Sequence, residues 1–128
     1  SITGNIVQNC SSFGTASSVF NGIINTGGAG TLGISTNNII SGTNTGTGAF
    51  TPISNSAAVA TLNIISNIIR SHIKTSGTGA FTAIANSGAA PTAININYNQ
   101  LGNANGGLIT YSDAKAIAFF AGRRKYYR

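Results

Sequence analysis

The sequence predicts an all-β chain folded as a short parallel β-helix, a solenoid of about four coils with about 31 residues in each, ending in a short C-terminal helical cap or tail. Three observations predict this class. The segment Gly46-Thr47-Gly48-Ala49-Phe50-Thr51-Pro52-Ile53-Ser54-Asn55-Ser56 returns as Gly77-Thr78-Gly79-Ala80-Phe81-Thr82-Ala83-Ile84-Ala85-Asn86-Ser87. Short aliphatic strands recur at fixed places between these copies. Isoleucine outnumbers leucine by 18 to 4, and β-branched side chains are stiff at χ1 and favour pleated backbone.

Taken in order, Gly4-Asn5-Ile6-Val7 reads as the tail of a repeat. Phe20-Asn21-Gly22-Ile23-Ile24-Asn25-Thr26 is a weaker early copy of the Phe-Thr-x-Ile strand, and Tyr111 is its degenerate fourth copy. Thr31-Leu32-Gly33-Ile34 precedes Asn38-Ile39-Ile40. Thr61-Leu62-Asn63-Ile64 precedes Asn67-Ile68-Ile69, and Ile94-Asn95-Ile96 precedes Asn99-Gln100-Leu101. Each unit thus holds three short strands divided by Gly/Ser/Thr/Asn-rich turns. Strands this short do not persist as free hairpins. They persist when each turn of chain lies on the one before.

In such a stack, equivalent residues sit about 4.7–4.9 Å apart. Phe20, Phe50 and Phe81 form an aromatic column, and Ile23, Ile53 and Ile84 an aliphatic one. Ile34, Ile64 and Ile96 form another. Asn25, Asn55 and Asn86 recur at one turn, and Asn38, Asn67 and Asn99 at a second. Asparagine tolerates the left-handed region, and stacked amides hydrogen-bond along a column. An aspartate there would meet its own copy about 5 Å away, and the chain has only one. The spacing of Phe and Ile in the first strand leaves its inward face open, because a two-residue period does not bury both without a bend. Low-complexity disorder and an antiparallel sandwich are the alternatives. Isoleucine at fixed phases argues against disorder.

Charge excludes much chemistry. Seven side chains are basic (Arg70, Lys74, Lys115, Arg123, Arg124, Lys125, Arg128), Asp113 is the only acid, and the net charge is +6. Paired-carboxylate hydrolysis and acidic calcium loops need more acids than this chain has. One Cys and one His do not build a usual four-ligand zinc site. No enzyme activity, metal or cofactor is expected. No run approaches the roughly 20 apolar residues of a membrane span. The chain lacks an initiator Met and a signal-peptide n-region, so it reads as a mature product or a fragment. Cys10 reads as a lone buried thiol. Asn9-Cys10-Ser11 fits the glycosylation acceptor pattern, which chance matches also produce.

The exceptional residues fall late. Residues 1–111 are repeats, 112–122 a capping helix or irregular turn, and 123–128 a basic tail. Arg70, His72 and Lys74 alternate and would share one face of an extended segment. They are the candidate contacts for an acidic glycan or phosphate, against a plain solvated loop. Ser112 can N-cap, Asp113 suits a helix N-terminus, and Gly122 can end the helix. Such a cap would cover an open solenoid end, with a membrane-surface helix as its rival. Arg123, Arg124, Lys125, Tyr126, Tyr127 and Arg128 form a candidate docking tail. No nucleic-acid partner is expected, since no basic stripe runs along the repeats. Thr43-Asn44-Thr45-Gly46-Thr47 is a candidate ice-binding ladder that the next unit continues only through Thr75 and Thr78.

The pattern in residues 48–56 with 62–69, and in 79–87 with 94–101, resembles the repeats of large secreted parallel β-helix (pectate-lyase-like) surface proteins of Bacteroidetes-type bacteria. The resemblance covers roughly residues 1 to 111. It implies a right-handed solenoid at the cell surface or outside the cell. It also implies a short turn bearing Asn38, Asn67 and Asn99 between the second and third strands, and variable loops at residues 41–48 and 70–79. The acidic calcium ligands of lyases have no counterpart, since Asp113 is the sole acid. The expected role is a non-enzymatic structural or adhesive solenoid, either a filament-forming subunit associating end to end or a segment of a larger surface protein. An alternative is a carbohydrate-binding or carbohydrate-active module, and a third is an ice-binding protein.

Overall fold

The computed structural model describes residues 1–12, 19–44, 48–74, 79–102, 110–111 and 117–122. These residues form a parallel β-helix-like stack of strands, with no helix among them. The strands are β1 (Ile2–Thr3), β2 (Ile6–Ser12), β3 (Phe20–Asn25), β4 (Ala29–Ser35), β5 (Asn38–Asn44), β6 (Phe50–Asn55) and β7 (Val59–Ile65). There follow β8 (Ile68–Arg70), β9 (Ile73–Lys74), β10 (Phe81–Asn86), β11 (Ala93–Asn97), β12 (Gln100–Leu101), β13 (Thr110–Tyr111) and β14 (Ile117–Gly122). One sheet runs β1-β4-β7-β11 and another β3-β6-β10-β14. In the third, β2 pairs with β5, β5 with both β8 and β9, and these with β12 and β13. The chain visits the three sheets in the same order each time.

Register follows the sequence repeat. Phe20, Phe50 and Phe81 are paired in one row, Ile23, Ile53 and Ile84 in a second, and Asn25, Asn55 and Asn86 in a third. Ile2, Ile34, Ile64 and Ile96 form a row in the opposite sheet. The rings of Phe20 and Phe50 stack at 4.8 Å and those of Phe50 and Phe81 at 5.6 Å. Ile34, Ile53, Leu62, Ile64, Phe81 and Ile84 are wholly buried at the centre. Each contributes roughly 1.5–3 kcal/mol by leaving water.

The Phe-x-x-Ile spacing is accommodated by a bend. Phe50 and Ile53 are both buried, as are Phe81 and Ile84. Pairing lapses between them, at Gly22, Pro52 and Ala83. Gly22 lies so close to the neighbouring strand that a Cβ would sit 2.7 Å from the Pro52 carbonyl oxygen. A proline, with no N–H to donate, fits where the ladder is already broken.

The C-terminal region departs from expectation. Ile117–Gly122 is a strand rather than the end of a helix, and it pairs in parallel with β10. Ile117, not Tyr111, stands opposite Phe81. Tyr111 pairs instead with Lys74 in the other sheet. The Ala-rich composition favours helix only weakly, while β10 offers an unpaired edge that a further strand satisfies. Residues 112–116 and the tail 123–128 lie outside the described residues.

One substitution tests the closeness of the stack. A Cβ on Gly88 would fall inside the backbone of Ala57. Gly88→Ala is expected to destabilise the fold by about 1–3 kcal/mol, since packed backbone must shift. A lower urea midpoint with an unchanged slope would show it, and an unchanged midpoint would refute the packing.

Candidate functional site

The most organised polar feature is the corner between the first sheet and the sheet that follows it. Gly4, Thr36, Ser66 and Tyr98 all have positive φ, at 69°, 54°, 56° and 56°. Each precedes an asparagine: Asn5, Asn37, Asn67 and Asn99. The left-handed residue turns the chain, which costs non-glycine residues about 1–2 kcal/mol. The turn sets Asn5, Asn37 and Asn67 each over the asparagine of the next coil, with Asn37 and Asn67 buried and Asn5 exposed.

The hydrogen bonds then repeat. The backbone N–H groups of Asn5, Asn37 and Asn67 donate to the side-chain Oδ1 of the following asparagine at 2.9, 3.1 and 3.0 Å. Their Nδ2 groups donate to the same oxygen at 3.0, 2.9 and 2.9 Å. Asn37, Asn67 and Asn99 also donate Nδ2 backwards, to the carbonyls of Ile2, Ile34 and Ile64. Asn37 and Asn67 are almost wholly buried. A buried amide this fully partnered supports the fold, whereas an unpaired one would cost it.

Sequence reasoning placed Asn38 in this column. The structure puts Asn37 there instead, with Asn38 opposite Ile68 and its Oδ1 buried without a hydrogen-bond partner among the described residues. The choice between two adjacent asparagines turns on which one follows the left-handed residue. Aligning Thr36-Asn37 with Ser66-Asn67 carries that signal. Asn5, also missed, occupies the first rung.

A second column lies at the other corner. Asn25 donates Nδ2 to Asn55 at 2.7 Å, and Asn55 donates to Asn86 at 2.7 Å. Asn25 and Asn55 also each donate to a carbonyl two residues on. Asn86 is buried, and its Nδ2 has no hydrogen-bond partner among the described residues. The next residue in register is Gly122, which has no side chain to accept from it. On the outside, Asn95 donates to Asn63 at 2.7 Å, an exposed pair that the sequence reading also missed.

The basic trio does not form one surface. Ser71 takes φ 57° between β8 and β9, which breaks the alternation that would have aligned Arg70 with His72. His72 turns inward, is 1% exposed, and stacks on Phe50 with ring centroids 3.6 Å apart. It belongs to the aromatic column rather than to a contact face. Arg70 is half-buried opposite Ile40, and its Nε has no hydrogen-bond partner among the described residues. The backbone of Lys74 pairs with Asn44. Thr43 is paired in β5, and residues 45–47 and 75–78 of the threonine-rich stretches lie outside the described residues. Cys10 is only partly buried, with Sγ 3.5 Å from the Gln8 carbonyl, so it is not a core thiol.

Among the described residues no three of His, Cys, Asp and Glu come together. No helix among them is long and apolar enough to cross a membrane. The polar groups that recur in space are thus the ladder amides, and these hold coil to coil. No protein-family model matches the chain, and neither a curated protein nor a solved structure does.

Two variants probe the columns in opposite directions. Asn67→Ala should cost about 2–4 kcal/mol, because it strips partners from Asn37, Asn99 and the Ile34 carbonyl, whereas Asn95→Ala on the exposed pair should stay within about 0.5 kcal/mol. Equal effects in thermal melts would contradict the ladder's role. Gly122→Asn supplies the acceptor that Asn86 lacks and should raise stability by about 1 kcal/mol. A loss on that substitution would show that the column does not continue into β14.

Proposed function

We propose that the chain is a non-enzymatic structural or adhesive element of the cell surface or extracellular space. It is a short right-handed solenoid of four coils that acts by stacking. The observation that carries this reading is the use of the buried polar side chains. Asn37, Asn55 and Asn67 bridge successive coils, and their donors and acceptors are taken up by neighbouring rungs. Parallel strands joined by crossovers favour the right hand. The likeness to secreted β-helix repeats supports a surface location, and the missing acids speak against lyase chemistry.

A repeat stack has nearest-neighbour contacts only, so its stability grows with each coil added. That suits a segment of a larger surface protein or a subunit that self-associates. The glycan-binding alternative retains one supporting feature, the half-buried Arg70 whose Nε has no hydrogen-bond partner among the described residues. Purified protein on an array of acidic and neutral polysaccharides separates the two readings. A structural element shows no saturable retention that depends on Arg70. Retention that drops at least about tenfold in Arg70→Ala would replace the structural reading with glycan recognition.

A further inference from the structure

We propose that His72 is an acid-sensitive latch: when its buried imidazole takes up a proton, the ring leaves the aromatic column and the stack opens at β8 and β9. Such a latch goes beyond the structural reading above, since it sets the conditions under which the stack stays closed.

Among the described residues the buried polar side chains are Asn37, Ser54, Asn55, Asn67, Asn86 and His72. The amides and the hydroxyl keep one charge state at any ordinary pH, so within this group His72 alone can become an ion. It is the only histidine in the chain. It is 1% exposed, and its ring lies flat on Phe50, with centroids 3.6 Å apart and planes 9° from parallel. Phe81 is the next ring of the column, 5.9 Å from His72 and inclined by 27°. Phe50 and Phe81 are themselves buried.

Charging the ring in this place is harder than charging it in water, because an imidazolium loses its hydration on burial. Two effects could offset that loss, and both fall short. The face of Phe50 attracts a cation, but one ring's quadrupole restores only part of the hydration that near-complete burial removes. A facing carboxylate would hold the charge, and none of the strands around the ring carries one. β5, β6 and β10 have no titratable side chain. β8 brings Arg70 and β9 brings Lys74, which flank His72 in the chain, and like charge disfavours a further cation. β13, which pairs with β9, adds Tyr111, a phenol that is neutral well above pH 7.

The sign follows from linkage. In the unfolded chain a histidine titrates at about pH 6.5, while burial holds the stacked ring neutral to lower pH. Above about 6.5 both states are neutral and the full stability is present. Below it the opened chain binds one more proton than the closed one, so stability falls as pH falls. One proton per opening makes the opening constant grow about tenfold for each further pH unit.

The backbone beside the ring has two arrangements to choose between. Ser71, at φ 57°, turns His72 inward between β8 and β9. Returning Ser71 to extended backbone would relieve its left-handed strain. It would also restore strand alternation and carry His72 to the outer face, the one Arg70 occupies. β9 spans only Ile73–Lys74, so few ladder bonds resist that change. The stacking of His72 on Phe50 holds the closed arrangement, and a proton on the ring releases it.

Proton NMR and urea melts test the latch. With one histidine in the chain, a single Cε1–H signal reports the ring. At pH 7.5 it should carry the ring-current shift of a stacked imidazole. As the pH falls to 5 this signal should not titrate but lose intensity to a second, titrating one. Between pH 7 and 5 the urea midpoint should fall, with the unfolding constant rising at least about tenfold. His72→Phe keeps an aromatic ring in the column and removes the proton, so its midpoint should stay level over that range. His72→Gln serves the same purpose should His72→Phe fail to fold. Asp113→Asn removes the chain's one acidic side chain and should leave the wild-type fall in place. A folded-state signal titrating near pH 6.5, a midpoint that holds or rises on acidification, an equal fall in His72→Phe, or loss of the fall in Asp113→Asn would each overturn the latch.

Discussion

The structure depends on a turn in which a left-handed residue is followed by an asparagine whose amide reaches both neighbouring coils. Main-chain pairing alone spaces parallel strands but leaves their register free to slip. The corner removes that freedom. Asn67 joins its backbone N–H and Nδ2 to one oxygen of Asn99, returns Nδ2 to Ile34, and accepts both donors of Asn37. Slipping by one residue would break all of these bonds together. With the corner held, the isoleucine and phenylalanine rows fall into line on either side of it.

The same constraint accounts for the composition. A residue in a column meets its own equivalent one strand spacing away, about 4.8 Å. Amides, hydroxyls and aliphatic groups tolerate that repetition, and carboxylates do not. Residues 1–69 accordingly contain no charge. The left-handed turn is occupied by Gly4 in the first coil but by Thr36, Ser66 and Tyr98 later. The backbone conformation is retained despite its cost, which shows that the ladder bonds outweigh it. His72 follows a related logic. The left-handed Ser71 directs it into the core, where its ring stacks face to face with Phe50.

A fold assembled this way has a direction. At the first corner Asn37 and Asn67 donate backbone N–H and Nδ2 to the Oδ1 of the next coil's asparagine and accept on their own Oδ1, while their Nδ2 groups also reach back to the coil before. Ile2, Val7, Phe20 and Ile96, in the first and last described coils, pack half-buried against the core. The second column stops at Gly122, leaving the Asn86 Nδ2 without a hydrogen-bond partner among the described residues. The two corners thus treat the C-terminal end differently: one keeps its pattern to the last coil, and the other stops one coil short.

Repetition made much of the fold legible in the residues. The recurrence of Phe50-Thr51-Pro52-Ile53 at Phe81-Thr82-Ala83-Ile84 implies parallel stacking, since equivalent residues are paired only when coils overlie. The columns of Phe20, Ile23 and Asn25 with their later copies follow directly. The choice of Asn37 over Asn38 did not follow, because both are adjacent asparagines and only the backbone conformation of Thr36 decides which one turns inward. The inward His72 was hidden for the same reason, since strand alternation assumes an extended Ser71. The strand at Ile117–Gly122 was hidden because an Ala-rich segment favours helix locally, and only the open edge of β10 makes pairing the better outcome. By itself the sequence determined the period, the rows and the exclusion of charge, which are properties of a repeat. The tertiary structure alone decided which residue of each turn faces in and what closes each edge. Those choices depend on single left-handed residues and on neighbours distant in the chain.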